Sequence, residues 1–272
     1  MRNYVFDNFS DVFEFRNAIT SRPENGHAGN ASKESGESFA GMAYNKAVEA
    51  VTDGLPEVAG RLNRELTRFQ KVACNSIPQR RPINYYNGYA PNVPAAIMGL
   101  PKSMRKTVKT PSKVKTVTLF YDSTANCGTS AETLEKAGAA VLQLTYWLEL
   151  NGFRVRFTLT PFIATQGSDT AVCNVLLKDF RQPLDILKLS FSITSVSMFR
   201  RLGFKWIETV PKLTANWSMG YGHHIDDKAK AAEVLRKAGQ DMDNGYFITV
   251  SDCESADFDA VKLAAVLGIK VG

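Results

Sequence analysis

Two stretches of this chain carry residue types whose spacing could do chemistry. In RRPINYYNGYAP, Arg80 and Arg81 precede Tyr85, Tyr86 and Tyr89 among Pro, Asn and Gly residues. Guanidinium groups interleaved with aromatic rings suit an unpaired nucleic-acid strand: cations meet phosphates, and rings stack on bases at about 1–3 kcal/mol per base. Lys102, Arg105, Lys106, Lys109 and Lys113 extend the cationic run. The bland alternative is that the tyrosines pack against the domain while the lysines solvate a connector.

The second stretch is His223-His224 followed by Asp226-Asp227. Adjacent residues point apart and no third ligand is spaced to join them, which argues against a metal site. The run GYGHHIDDKAKAAEVL reads better as a helix start, with Asp226 or Asp227 as cap and first-turn acid. Familiar catalytic patterns are missing: there is no GxSxG, GxGxxG or GxxxxGK[ST]. The three histidines fall in apparent loops, and Cys127 beside Gly128 has no placed base. A non-enzymatic protein is expected.

The elements that must position these residues follow from length and composition. The chain has 272 residues, 44% hydrophobic, 10% aromatic and 22% charged, enough for a real core. No apolar run approaches a membrane span. The first 20 residues scatter Asp7, Asp11, Glu14 and Arg16 among aromatics, which breaks a signal-peptide core, so a cytoplasmic protein is expected. Cys74, Cys127, Cys173 and Cys253 form no CxxC pair and read as reduced thiols.

The net charge of +6 is unevenly spread. Residues 1–60 hold five basic and nine acidic side chains, whereas residues 61–115 hold twelve basic ones against Glu65 alone. Residues 116–272 are close to neutral. A patch of that density attracts polyanions, unless the acidic amino-terminal segment folds over it.

Along the chain, VFDNFSDVFEFRNAI approximates helical spacing and suggests a docking helix, followed by a loop or flexible linker near 22–41. Two helices joined at Asp53-Gly54-Leu55-Pro56 are expected over 42–70. Six prolines between 71 and 113 point to an irregular connector without regular sheet. VKTVTLFY is a buried strand ending at Asp122, and Thr129 with Glu132 offers a capping box for a long helix to Asn151-Gly152. FRVRFTLT and AVCNVLLK form a hairpin, residues 183–209 one or two helices, DDKAKAAEVLRKAGQDM a helix, YFITVSD a strand, ADFDAVKLAAVLG a helix and IKVG a last strand. The order implies an α/β fold: a doubly wound, mainly parallel sheet with an antiparallel edge hairpin, preceded by a helical, loop-rich extension. Three segments are expected: 1–60 acidic and helical, 61–113 basic and proline-rich, and 114–272 α/β. Ligands of such sheets bind beyond the carboxyl ends of the strands, which puts Asp122 and Asp252 at one rim. Arg200, Arg201 and Lys205, near Phe199 and Trp206, are expected to coat a helix with their tips in water, or to extend the basic surface.

In its strand TVTLFYD, helix EKAGAAVLQLTYWLELNG, strand FRVRFTL with hairpin partner, and late FITVSDC followed by a helix, the segment 114–272 resembles the von Willebrand factor type A domain. The Met42 to Gln70 helical stretch followed by the proline-punctuated loop APNVPAAIMGLPKSMRK looks similar to uncharacterised proteins of tailed bacteriophages, which would place it in host cytoplasm. The type-A resemblance implies a divalent ion such as magnesium held by strand-end oxygens. Here Asp122, Thr124, Asn126 and Asp252 match that set, in a degenerate form; the alternative is an Asp that caps the following helix or loop. The leading expectation is a protein that binds nucleic acid, single-stranded DNA favoured, recruiting phage transcription or replication machinery. Arg80, Arg81, Lys102, Arg105, Lys106, Lys109 and Lys113 would meet phosphates. A competing expectation is an adaptor that captures a protein partner at the strand-end rim, with or without an ion; a metal-dependent hydrolase lacks an identifiable base.

Overall fold

The computed structural model describes residues 3–26, 30–73, 83–106, 115–124, 128–211, 213, 220–225 and 227–270. Residues 1–70 with 115–272 form one compact unit and residues 71–114 a second.

The chain opens with a strand, β1 (Asn3–Phe9), where a helix was expected. Its alternation sends Val5 and Phe9 to the main core and Tyr4 and Phe6 to the cluster on the opposite face of the sheet. Apolar residues on both faces mimic helical spacing, because a strand buried on two sides loses its polar alternation. The helix begins only after Asp11, whose carboxylate accepts from Glu14 N at the head of α1 (Val12–Ser21). Segment 22–41, read as a linker, carries two one-turn helices, α2 (Ala31–Glu34) and α3 (Glu37–Ala40). Then come α4 (Tyr44–Asp53) and α5 (Pro56–Ala73), as the sequence pattern requires.

The second unit contains a small antiparallel sheet where an irregular connector was expected. Its strands β2 (Ile83–Tyr85), β3 (Ala90–Pro91) and β4 (Met104–Lys106) lie in the order β2-β4-β3, with α6 (Val93–Ile97) between β3 and β4. The prolines are compatible with it: Pro91 ends an edge strand and Pro94 sits in the first turn of α6. Strands of two or three residues are too short to show a period. Between β2 and β3 the chain must cross β4, and at Gly88 it passes so close that a Cβ would lie 2.0 Å from Arg105 O.

The first unit is built on β5 (Lys115–Asp122), β6 (Phe153–Gln166), β7 (Asp169–Lys178), β8 (His223–His224) and β9 (Gly245–Ile248) together with β1. The strand order is β1-β7-β6-β5-β9, with β8 paired to β6. β1/β7, β5/β6 and β5/β9 run parallel, and β6/β7 and β6/β8 antiparallel. The β6–β7 hairpin, expected at the edge, is internal because β1 covers β7. Helix α7 (Ala131–Leu150) joins β5 to β6; its cap is Ser130, one residue beyond the expected Thr129. Packing of α7 on α8 (Ile186–Thr194) is close enough that a Cβ at Gly138 would lie 2.3 Å from Ile193 O. A π-helical turn, Met198–Gly203, leads into α9 (Phe204–Thr209). Helix α10 (Lys228–Lys237) packs Ala231, Val234 and Leu235 against Phe120 and Phe247 on one face of the sheet. On the other face, Leu119 and Tyr121 belong to the main core with α7, α11 (Val250–Ser255) and α12 (Ala260–Val266). The expected final strand is not formed at Ile269 and Lys270; positions 271–272 lie outside the described residues.

The basic cluster after α8 does not point into water. Arg200, Arg201 and Lys205 are buried, so they add nothing to a basic surface. Arg201 donates to Met42 O at 2.9 Å and to Ser32 O at 3.2 Å, Arg200 donates to Phe39 O at 2.7 Å, and Lys205 pairs with Glu24 at 2.5 Å. Buried cations must be paired or hydrogen-bonded, and here the partners are the backbone and acids of segment 24–42. These contacts hold α2 and α3 against the π-helical turn.

Candidate functional site

The small sheet of the second unit presents aromatic and cationic groups together. Tyr85 lies opposite Met104 and Ile83 opposite Lys106, so Tyr85 and Lys106 share one face of the β2/β4 ladder. The Lys106 ammonium sits 4.7 Å from the Tyr85 ring centroid, and that of Lys102 lies 5.5 Å from Tyr86. The two tyrosines meet edge to face, centroids 5.6 Å apart. Tyr86 and Tyr89 are 63% and 67% exposed, far above what a tyrosine packed on a core would show, and Arg105, opposite Asn84, is exposed on the other face of the ladder. Residues 71–114 contain eight Lys and Arg and no Asp or Glu, so no side chain of this unit neutralises those cations. Ammonium groups over ring faces orient both partners while leaving the outer ring faces available. Such a surface can stack bases and meet phosphates.

Of the expected contact residues, the structure brings together Tyr85, Tyr86, Lys102 and Lys106, with Tyr89 and Arg105 on the same small sheet. Arg80, Arg81, Lys109 and Lys113 lie outside the described residues. In the first unit, Arg64 and Arg68 are exposed on α5, while Arg61 on the same helix is paired with Glu135 at 2.7 Å.

The rim at the ends of β5 and β9 is a second constellation. Asp122 is fully buried; its Oδ1 accepts from Thr124 N at 2.8 Å and from Thr124 Oγ1 at 2.5 Å. His224, from β8, brings Nδ1 to 2.6 Å from Thr124 Oγ1 and Nε2 to 3.3 Å from Asp122 Oδ2. The sequence carried no signal for this contact, since 100 residues separate Thr124 from His224 and only the β6/β8 pairing brings them together. Asp252 is not at a strand end but in the first turn of α11, where Thr249 and Asp252 form a reciprocal capping box. Its Oδ2 accepts from Thr249 N and Oγ1, each at 2.9 Å, and its Oδ1 from the Lys228 ammonium at 2.5 Å.

These residues do not fit the ion that the type-A resemblance implies. Both oxygens of Asp252 are engaged, one by a cation, and the Thr124 hydroxyl is turned onto Asp122. Hard divalent ions need about six or more oxygens free to turn inward. Asn126 lies outside the described residues. Among the described residues no group of three or more His, Cys, Asp or Glu is arranged to hold a metal. The cap expected at the start of α10 is Asp227, accepting from Ala229 N at 2.8 Å and Lys230 N at 3.3 Å; Asp226 lies outside the described residues.

A cavity of about 300 Å³ opens beside Thr124 and His224, walled by Phe162, Phe199, Phe204 and Tyr221. A polar crevice of about 750 Å³ shares Thr124, Phe199 and His224 with it and continues past Lys228 and Ser251. Cys253, buried near Asp252, has its thiol pushed up to about 12 by loss of hydration, and Cys173 is raised in the same way. Cys127 lies outside the described residues.

A family model described as a domain of unknown function, DUF7192, matches residues 2–269, and the chain belongs to that family. No curated protein and no solved structure matches it. Among the described residues, no helix is long and apolar enough to cross a membrane.

Proposed function

We propose that this member of the DUF7192 family is a non-enzymatic binding protein that engages single-stranded nucleic acid, DNA first among the candidates, through the small sheet at residues 83–106. One observation carries the reading: three exposed tyrosines, two with a lysine ammonium over the ring, stand on a unit that contains no acidic residue. Stacking is tolerant of sequence because every base has a flat face, and phosphate contacts add a salt-dependent term. The large α/β unit is the scaffold in this reading. Its order of strand, helix, strand, hairpin partner and late strand followed by a helix supports a type-A-like classification.

Fluorescence anisotropy with a labelled single-stranded oligonucleotide tests the proposal. Micromolar or tighter binding that weakens as salt rises supports it; absence of binding at about 50 mM salt, where phosphate contacts are strong, rejects it. The strand-end crevice favours a second reading, capture of a protein partner at the rim without an ion. Under that reading Asp122→Ala abolishes partner capture and leaves oligonucleotide binding intact.

A further inference from the structure

Stacking accounts for the tyrosines but not for the apolar turn beside them. Ile97 and Met98 are 81% and 68% exposed, and Val93 and Leu100 are exposed as well. This turn is rigidly built. Asn92 N donates to Ser103 O at 2.7 Å and ties its two ends together. Met98 N donates to Pro94 O at 3.1 Å and Leu100 N to Ala95 O at 2.9 Å, closing the helix end, with Gly99 in the left-handed region at φ 67° and Ala95 buried beneath. Large aliphatic side chains held outward on a hydrogen-bonded turn are preorganised for a contact. The ladder fixes where that contact lies. Pro91 and Tyr85 both stand opposite Met104, so the base of the α6 turn and the Tyr85-Tyr86 pair occupy one end of the sheet, where Lys102, two residues before Met104, sets its ammonium over the Tyr86 ring.

We infer that the α6 turn is an apolar wedge that caps the last base pair where a duplex opens into the strand held by the tyrosines. The preferred ligand is then a junction between single-stranded and double-stranded nucleic acid. This rests on the single-strand reading above and extends it. Aliphatic side chains that enter nucleic acids act between or against base steps, where a flat apolar face is available, while aromatic rings serve the unstacked bases. Charge complementarity selects a polyanion as the occupant: Lys102, Arg105 and Lys106 flank the turn in a unit without acids. Two residues at one tip match the face of a base pair, whereas insertion into a lipid surface draws on an apolar face along a whole helix, and α6 has five residues.

The test uses the full chain and three labelled ligands: an unpaired oligonucleotide, a hairpin carrying that sequence as a tail, and the blunt hairpin. The tailed hairpin should bind about tenfold tighter than the unpaired strand, the net effect of partly covering two apolar side chains once the ordering costs of binding are met. A 2-aminopurine in its terminal pair should change fluorescence on binding. Ile97→Ser with Met98→Ser should erase the preference and the 2-aminopurine signal while leaving affinity for the unpaired strand unchanged; both positions are solvent-exposed, and an unchanged melting curve confirms folding. Equal affinity of the native protein for the unpaired and tailed ligands overturns the wedge but not single-strand binding. So does a double variant that keeps the preference. Failure to bind any of the three overturns both readings, and binding to anionic vesicles that is lost in the double variant assigns the turn to a lipid surface instead.

Discussion

Replacing Lys102, Arg105 and Lys106 together by Gln separates the electrostatic from the stacking part of the proposed interface. For single strands, each neutralised phosphate contributes about 0.7 to the slope of log affinity against log salt, so removing three contacts should flatten that slope by about 2. Over a tenfold rise in salt, the variant should therefore lose about a hundredfold less affinity than the native protein. Tyr86→Ala with Tyr89→Ala probes the other part. Two exposed rings at about 1 kcal/mol each should weaken binding roughly thirtyfold at every salt concentration, leaving the slope unchanged. Anisotropy titrations of one labelled oligonucleotide across a salt series read both quantities. All five substituted side chains belong to the segment 83–106 that carries the small sheet, and neither set supports the main core, so unfolding of the large unit does not confuse the result. A triple variant with the native slope, or tyrosine variants that bind as tightly as the native protein, would refute the assignment of this small sheet.

Arg201→Ala removes a buried side chain that donates to Met42 O and Ser32 O, and should destabilise the large unit by about 3 kcal/mol in urea titrations. Glu24 is held down from the usual 4.5 to about 2 by hydrogen bonds from the Lys205 and Lys33 ammonium groups. The unfolded chain therefore binds the proton first as pH falls, and this contact's stabilisation, complete above pH 4.5, is lost on the way down to about 2. Glu24→Gln should flatten the fall in urea midpoint over that window. Gly88→Ala drives a Cβ into Arg105 O and should weaken oligonucleotide binding while leaving the main thermal transition unmoved. In the native protein at neutral pH, Cys173 and Cys253, both buried, should resist alkylation followed by mass spectrometry until denaturant is added.

Local chemistry was enough to reveal a large part of this molecule. KTVTLFY carries the signature of a strand, Asn151-Gly152 that of a helix end, and Asp53-Gly54-Leu55-Pro56 that of a break between helices, because each rests on side-chain sterics and hydrogen bonding within a few residues. The crowding of cations and tyrosines between 61 and 115 was equally legible, since charge is a property of composition. What remained hidden depended on partners far along the chain. β1 is a strand because β7 supplies its hydrogen bonds, some 166 residues away, and without that partner its phenylalanines suggest a helix. Arg200, Arg201 and Lys205 look like surface residues until segment 24–42 provides the carbonyls and carboxylates that make burial affordable. Asp252 changes from strand-end acid to helix cap because β9 stops after four residues and Lys228 arrives from α10. Sequence fixes what each residue can bond to within its own turn; only the folded chain decides which distant group reaches it, because that choice is made by sheet pairing and packing across the whole core.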